Sequence, residues 1–183
     1  MNLKLSQRTL TEVIRSCYQA YGIRPRLMDR YGRLQTGRDR LGAYPRIQRE
    51  RSYALHESIN LGAPFIFVMG PVITGWLTAL EDRGVVHGAL LGGEVLCQEN
   101  LPKQTEGLAY LVGLGMKRTE AGAYLKQLPS WPASRVEEAS RYLHDTFYAI
   151  SGWKPQLMQE NQLRFQQKQQ ITQAIEDQKQ RGE

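Results

Sequence analysis

The sequence predicts an α+β domain: an antiparallel sheet of about five strands flanked by helices, with a long C-terminal helix. Three observations carry this reading. Apolar residues recur at helical spacing in the first third of the chain and again after residue 105. Between them lie three strand-like runs, Pro64 to Met69, Ile73 to Leu80 and Val85 to Leu91. From Gln156 to Gln180, ten glutamines in 25 residues with no glycine mark a mostly polar helix. At 183 residues the chain amounts to roughly one domain with an appendage, and 41% apolar residues supply a core, so wholesale disorder is excluded. The division is expected near residue 152, giving a domain over 1–152 and a connecting or dimerisation helix over 153–183.

Each element follows from local chemistry. Ser6, then apolar Leu10, Val13, Ile14, Cys17, Tyr18 and Tyr21, then Gly22, read as a capped amphipathic helix. Ile23 to Met28 and Arg33 to Thr36 read as a hairpin around Asp29-Arg-Tyr-Gly32, because Asp starts such turns and Gly accepts a positive φ. Pro25 places the first of these strands at an edge. Pro45 opens a second helix that runs to Gly62. Glu81-Asp-Arg-Gly84 joins two of the three central strands as a hairpin turn. Gly88 inside the last strand and Gly92-Gly93 at its end signal close approach by another backbone, a bulge or a ligand. Helices are then expected over 106–116, 119–128 and 132–150. In the glutamine-rich helix, Leu157, Met158, Leu163, Phe165, Ile171 and Ile175 do not hold a heptad for three repeats, so it must lean on the domain, pair with another copy or continue into a further segment, and the last two together are expected.

Charge and motifs narrow the function classes. The longest uncharged apolar stretch, Leu61 to Leu80, is broken by Pro64, Gly70, Pro71, Thr74 and Gly75, so no membrane segment is read. The N-terminus lacks the apolar core of a secretion leader, and Cys17 and Cys97 make no disulfide framework or zinc site; a cytoplasmic location is expected. Nine arginines between Arg24 and Arg51 face only Asp29, Asp39 and Glu50, a surplus of +6 that equals the whole formal charge. Such a cluster fits phosphates or carboxylates, or it forms the solvated faces of a hairpin and a helix. It contains no helix-turn-helix, zinc-finger or ribonucleoprotein motif. His56, His87 and His144 have no spacing relation, and phosphate-loop, HExxH and CxxC patterns are absent. The expectation is a protein that is not an enzyme and needs no cofactor or metal.

Four phrases, in order, resemble the PocR-type sensory domain, a PAS-like ligand-binding module. They are Met28-Asp-Arg-Tyr-Gly32, Leu61-Gly-Ala-Pro-Phe-Ile-Phe67, Gly75-Trp76 and Gly88-Ala-Leu-Leu-Gly-Gly-Glu-Val-Leu96. The resemblance covers about residues 5–152. Residues 167–179 are similar to the connecting helix that leads, in relatives, to an AraC-type helix-turn-helix domain. Many relatives carry a cysteine near the end of the apolar strand where this chain has Met69, so cysteine-based metal or redox sensing does not carry over.

The resemblance implies a PAS-like sheet whose concave face holds a small organic ligand such as a short alcohol, diol or related hydrocarbon derivative. It implicates Met28, Phe67, Met69, Trp76, His87 and Glu94 as ligand-binding residues. His87 and Trp76 are the preferred polar contacts, since each brings a hydrogen-bonding group to an otherwise apolar strand. Methionine and aromatic residues on strands also make plain core, and that reading stays open. Three functions are therefore weighed. The first is a ligand-sensing input domain of a bacterial transcription regulator, homodimeric through the C-terminal helix, reaching DNA only through a further domain. The second is a nucleic-acid-binding protein using the Arg24–Arg51 window, and the third a dimerisation scaffold that senses nothing.

Overall fold

The computed structural model describes residues 5–99 and 104–182. Residues 1–4, where the N-terminal leader reading begins, lie outside them. Helix α1 (Gln7–Tyr21) starts where Ser6 Oγ accepts the Thr9 N–H at 3.1 Å and stops at Gly22. It buries Leu10, Val13 and Cys17. Strand β1 (Arg26–Met28) follows Pro25 and lies at a sheet edge, where the missing proline N–H costs no ladder bond.

The expected partner strand over Arg33 to Thr36 does not form; a single bridge joins Met28 to Leu34. Two backbone bonds, Asp29 N–H to Arg33 O at 2.9 Å and Gln35 N–H to Leu27 O at 2.7 Å, hold the returning segment, and side chains add to them. Asp29 Oδ1 accepts the N–H groups of Tyr31 and Arg33 at 2.9 and 3.0 Å, and Thr36 Oγ1 accepts that of Leu27 at 2.9 Å.

Helix α2 (Pro45–Leu61) leads into the sheet strands β2 (Phe65–Met69), β3 (Ile73–Asp82) and β4 (Val85–Cys97). The sheet order is β1-β4-β3-β2, all antiparallel. Only Arg83 and Gly84 separate β3 from β4, both at positive φ as a primed two-residue hairpin requires. Strand β4 does not end at Leu91 as expected; it continues through Gly92-Gly93 to Cys97. Gly92 faces Trp76 across the strands, and a Cβ there would run into the indole nitrogen. At Gly88 a Cβ would run into the carbonyl oxygen of Met28 on β1. These glycines thus admit a neighbouring side chain and a neighbouring backbone.

Helices α3 (Gln104–Gly113) and α4 (Arg118–Gln127) come next. A two-residue strand β5 (Ser130–Trp131), unexpected from sequence, then pairs parallel with the end of β4. Helix α5 (Ala133–Ser151) and helix α6 (Gln156–Arg181) complete the fold.

Both sheet faces are covered. On one, Leu27, Trp76, Leu80, Leu90 and Val95 pack against α1 and α5. On the other, Met28, Phe67, Met69, Leu77, Ala79 and Leu91 pack against α2, α3, α4 and the start of α6. This explains why β3 reads as an almost continuous apolar run despite its antiparallel neighbours.

Helix α6 is rooted on a buried carboxylate. Glu81, fully buried at the end of β3, accepts the backbone N–H groups of Leu157 (2.9 Å), Met158 (2.8 Å) and Gly84 (2.8 Å). The first two belong to the opening turn of α6, whose N–H groups have no intrahelical partner and favour negative charge. Asn161 Nδ2 donates to Ile59 O at 2.9 Å, and a Cβ on Gly62 would strike Met158 O, so α2 and α6 meet backbone to backbone. Past Asn161 almost every residue is exposed, and about 30 Å of helix stands clear of the domain. No helix among the described residues is long and apolar enough to cross a membrane.

One titratable contact ties α5 to β3: His144 Nδ1 lies 2.6 Å from Thr78 Oγ1. Burial pushes the His144 pKa below its ordinary value, with Asp145 working the other way. The folded protein therefore holds this ring neutral while the unfolded chain takes up its proton first as pH falls. Its stabilising contribution is complete above about pH 6.5 and is lost as pH falls toward the lower folded value. Thermal melts of the wild type are expected to decline over that range, and His144→Gln is expected to flatten the decline.

Candidate functional site

The six residues implicated by sequence do not share one pocket. Met28, Phe67 and Met69 lie together in the core under α2, where Met28 and Met69 are fully buried among Leu77, Leu91 and Leu111. Trp76 points to the opposite face of the sheet, because it alternates with Gly75 and Leu77 along β3. Its ring stacks on Trp131 at 5.5 Å within the α1–α5 core. The polar-contact role expected of Trp76 is corrected accordingly: it is a core indole, and truncating it would empty that core. His87 sits half-buried near the hairpin end of β4, with its ring 4.9 Å from Trp153. Phe67 borders a surface groove with Arg49 and Tyr53, Trp76 borders a narrow crevice against α1 and α5, and Glu94 lies beneath a third opening, bonded to the Tyr124 that lines it.

Glu94 is the centre of a buried ionic network. Its Oε1 accepts from Arg51 Nη2 at 3.2 Å and Arg26 Nη2 at 3.3 Å, and its Oε2 accepts the Tyr124 hydroxyl proton. Arg51, fully buried on α2, also makes a two-pronged pair with Asp39, Nη1 to Oδ2 at 2.8 Å and Nη2 to Oδ1 at 3.0 Å. Two guanidinium and two carboxylate groups balance in charge. Burial opposes the charge on Asp39, but the Arg51 hydrogen bonds and charge, with Arg26 and the Gly42 N–H, hold its carboxyl below the ordinary aspartate value. Burial, and then the Glu94 charge and hydrogen bond, raise the Tyr124 pKa, so the phenol keeps its proton.

Sequence reasoning did not separate Arg51 from the solvated helix face allowed for the arginine window. The signal that separates it was present: Ile47, Arg51, Leu55 and Ser58 fall on one stripe of α2, and that stripe faces the core. Tyr124 was missed because nothing local distinguishes it from any aromatic on a helix.

Above the network lies an open cleft of about 450 Å³ between the 38–44 loop and α4. Arg38, Arg40, Tyr44, Met116, Glu120 and Tyr124 line it. The loop is pinned on three sides. Arg26 Nη1 donates to Arg38 O at 2.7 Å, Asp39 turns inward to Arg51, and Arg40 Nη1 donates to Gln127 Oε1 at 3.0 Å. Asp39 Oδ1 also accepts the Gly42 N–H at 2.8 Å, closing the turn that presents Tyr44. An apolar wall, two cations, the Glu120 carboxylate and the edge of a core tyrosine make up this cleft. Such a surface can hold a small organic molecule through a few placed polar groups.

Four arginines of the window divide among separate neighbourhoods. Arg24 lies over the Tyr18 ring at 4.7 Å, Arg26 and Arg51 are built into the network, and Arg46 pairs with Glu50 at 3.5 Å. Among the described residues, no three His, Cys, Asp or Glu side chains converge as a metal ion would require. Comparison with protein-family models, with curated proteins and with solved structures finds no match to this chain.

Replacing Arg51 by Met takes from Asp39 its guanidinium partner and leaves Glu94 with only Arg26 and Tyr124, and breaking a buried pair in this way costs about 3–5 kcal/mol. Urea unfolding of Arg51→Met is expected to show a loss of that size; a loss below about 1 kcal/mol would mean that the network is not a structural keystone.

Proposed function

We propose that this chain is the ligand-sensing input module of a bacterial transcription regulator, cytoplasmic, and that it binds a small organic molecule in the Tyr124 cleft. The observation that carries the reading is an unbroken chain of contacts from the cleft to the root of α6. Tyr124 lines the cleft and donates to Glu94, Glu94 accepts from Arg51, and Arg51 belongs to α2. The end of α2 then packs on the first turns of α6. A ligand that prefers one arrangement of Tyr124 biases where α2 sits, and so how α6 leaves the domain. Coupling requires different affinities for the two arrangements, and contact alone does not supply that.

Helix α6 is the output. Leu163, Phe165, Ile171 and Ile175 are exposed along it, and a second copy of the chain would cover them. The family resemblance adds an AraC-type DNA-binding domain beyond α6 and favours an alcohol or diol as ligand. It rests on short phrases in the right order. Dispersal of four of the window's arginines among separate neighbourhoods weighs against direct nucleic-acid binding by this chain.

The test is a thermal-shift screen of small alcohols, diols and organic acids, followed by distance measurement between spin labels placed at Gln169→Cys in paired copies. At least one stabilising compound is expected to lose its effect in Tyr124→Phe and to change the label distance in the wild type. Stabilising compounds that ignore Tyr124→Phe, or that leave the distance unaltered, would contradict the proposal.

A further inference from the structure

The cleft carries a charge requirement that the fold leaves unmet. Residues 38–40 read Arg-Asp-Arg, and the acid in the middle is withdrawn. Asp39 turns into the core to pair with Arg51, while its two neighbours both line the cleft. Neither Arg38 nor Arg40 has a carboxylate within ion-pair distance among the described residues, although Glu120 lines the same space. Both arginines are held in place, Arg38 through its backbone by Arg26 and Arg40 through its side chain by Gln127. Two guanidinium groups that border the cleft, Arg40 held by Gln127 and Arg38 anchored at its backbone, suit a planar carboxylate, because a guanidinium offers a fork of parallel donors. Tyr44, Met116 and Ala123 furnish the rest of the lining, with aromatic and thioether surface to receive a ring.

We infer that the ligand of this cleft is a small aromatic carboxylate, its anion gripped by Arg38 and Arg40 and its ring laid against Tyr44 and Met116. The inference rests on the cleft being the sensory site, and it replaces the neutral alcohol or diol with a charged class.

Calorimetric titration of the full chain with benzoate, benzamide and benzyl alcohol separates the possibilities. Benzoate is expected to bind about tenfold or more tightly than either neutral probe. The double variant Arg38→Gln/Arg40→Gln is expected to bring benzoate down to the level of benzamide while lowering the unliganded melting temperature by only a few degrees, since both side chains are exposed and one surface hydrogen bond, Arg40 to Gln127, is lost. Equal affinity for benzoate and benzamide, or benzoate binding that survives the double variant, would overturn the inference. If neutral probes bind as tightly as benzoate and Tyr44→Ala abolishes that binding, the cleft remains the ligand site and only the charged class falls. Failure of all three probes to bind would overturn the inference and count against the cleft itself. Salt-sensitive capture of duplex DNA that the double variant loses would overturn it in favour of phosphate contact.

Discussion

A guanidinium in the middle of a hydrophobic stripe is the constraint around which this domain is arranged. Removing the Arg51 charge from water costs several kcal/mol, which the fold must offset with well-placed partners. Each partner imposes a piece of architecture. Asp39 reaches Arg51 only because the 29–43 segment folds back over α2, with Gly32 O also 3.5 Å from Arg51 Nη1. Glu94 reaches it only because β4 runs past its glycine pair, and Tyr124 completes the second carboxylate oxygen only because α4 lies across that end of the sheet. A loop, a strand and a helix are thereby fixed to α2 through four charged groups and one phenol.

The opposite end of the sheet uses the same chemistry for another purpose. Glu81 is as buried as Arg51, but its partners are backbone N–H groups and the positive end of a helix. Tyr148 reinforces this end by accepting the Glu81 N–H at 3.0 Å and donating to Ala79 O at 2.7 Å. Lys154 N–H donates to Asp82 Oδ1 at 3.0 Å, and Lys154 O accepts from Arg83 N–H at 2.7 Å, so the α5–α6 connection is laced to the β3–β4 hairpin. A long helix with only Met158 buried can therefore depart from the domain in a defined direction. α2 spans the distance between the two buried carboxylates.

Much of this architecture was legible where the determinants are local. Ser6 and Gly22 bounded α1, Pro45 and Gly62 bounded α2, and the glutamine run marked α6 to within a residue. What failed was non-local. Gly92-Gly93 looked like a strand end, because the indole that needs that space comes from Trp76 on another strand. Ser130–Trp131 carries no strand signal of its own and is extended because Leu96 N–H reaches Pro129 O at 2.8 Å. Of the ionic network, the sequence reading named Glu94 alone, through the family resemblance, and none of its partners. Those partners lie 30 to 68 positions away in the chain, a relation that no periodicity records.

The central claim is that the cleft and the root of α6 are energetically connected through α2. Amide hydrogen exchange, read residue by residue in the wild type and in Tyr124→Phe, measures this without any ligand. The account predicts faster exchange at Leu157 and Met158, the α6 amides that Glu81 accepts, while Leu90 in the middle of the sheet keeps its protection. Unchanged exchange at both α6 amides, with the disturbance confined to α4 and the 38–44 loop, would contradict it.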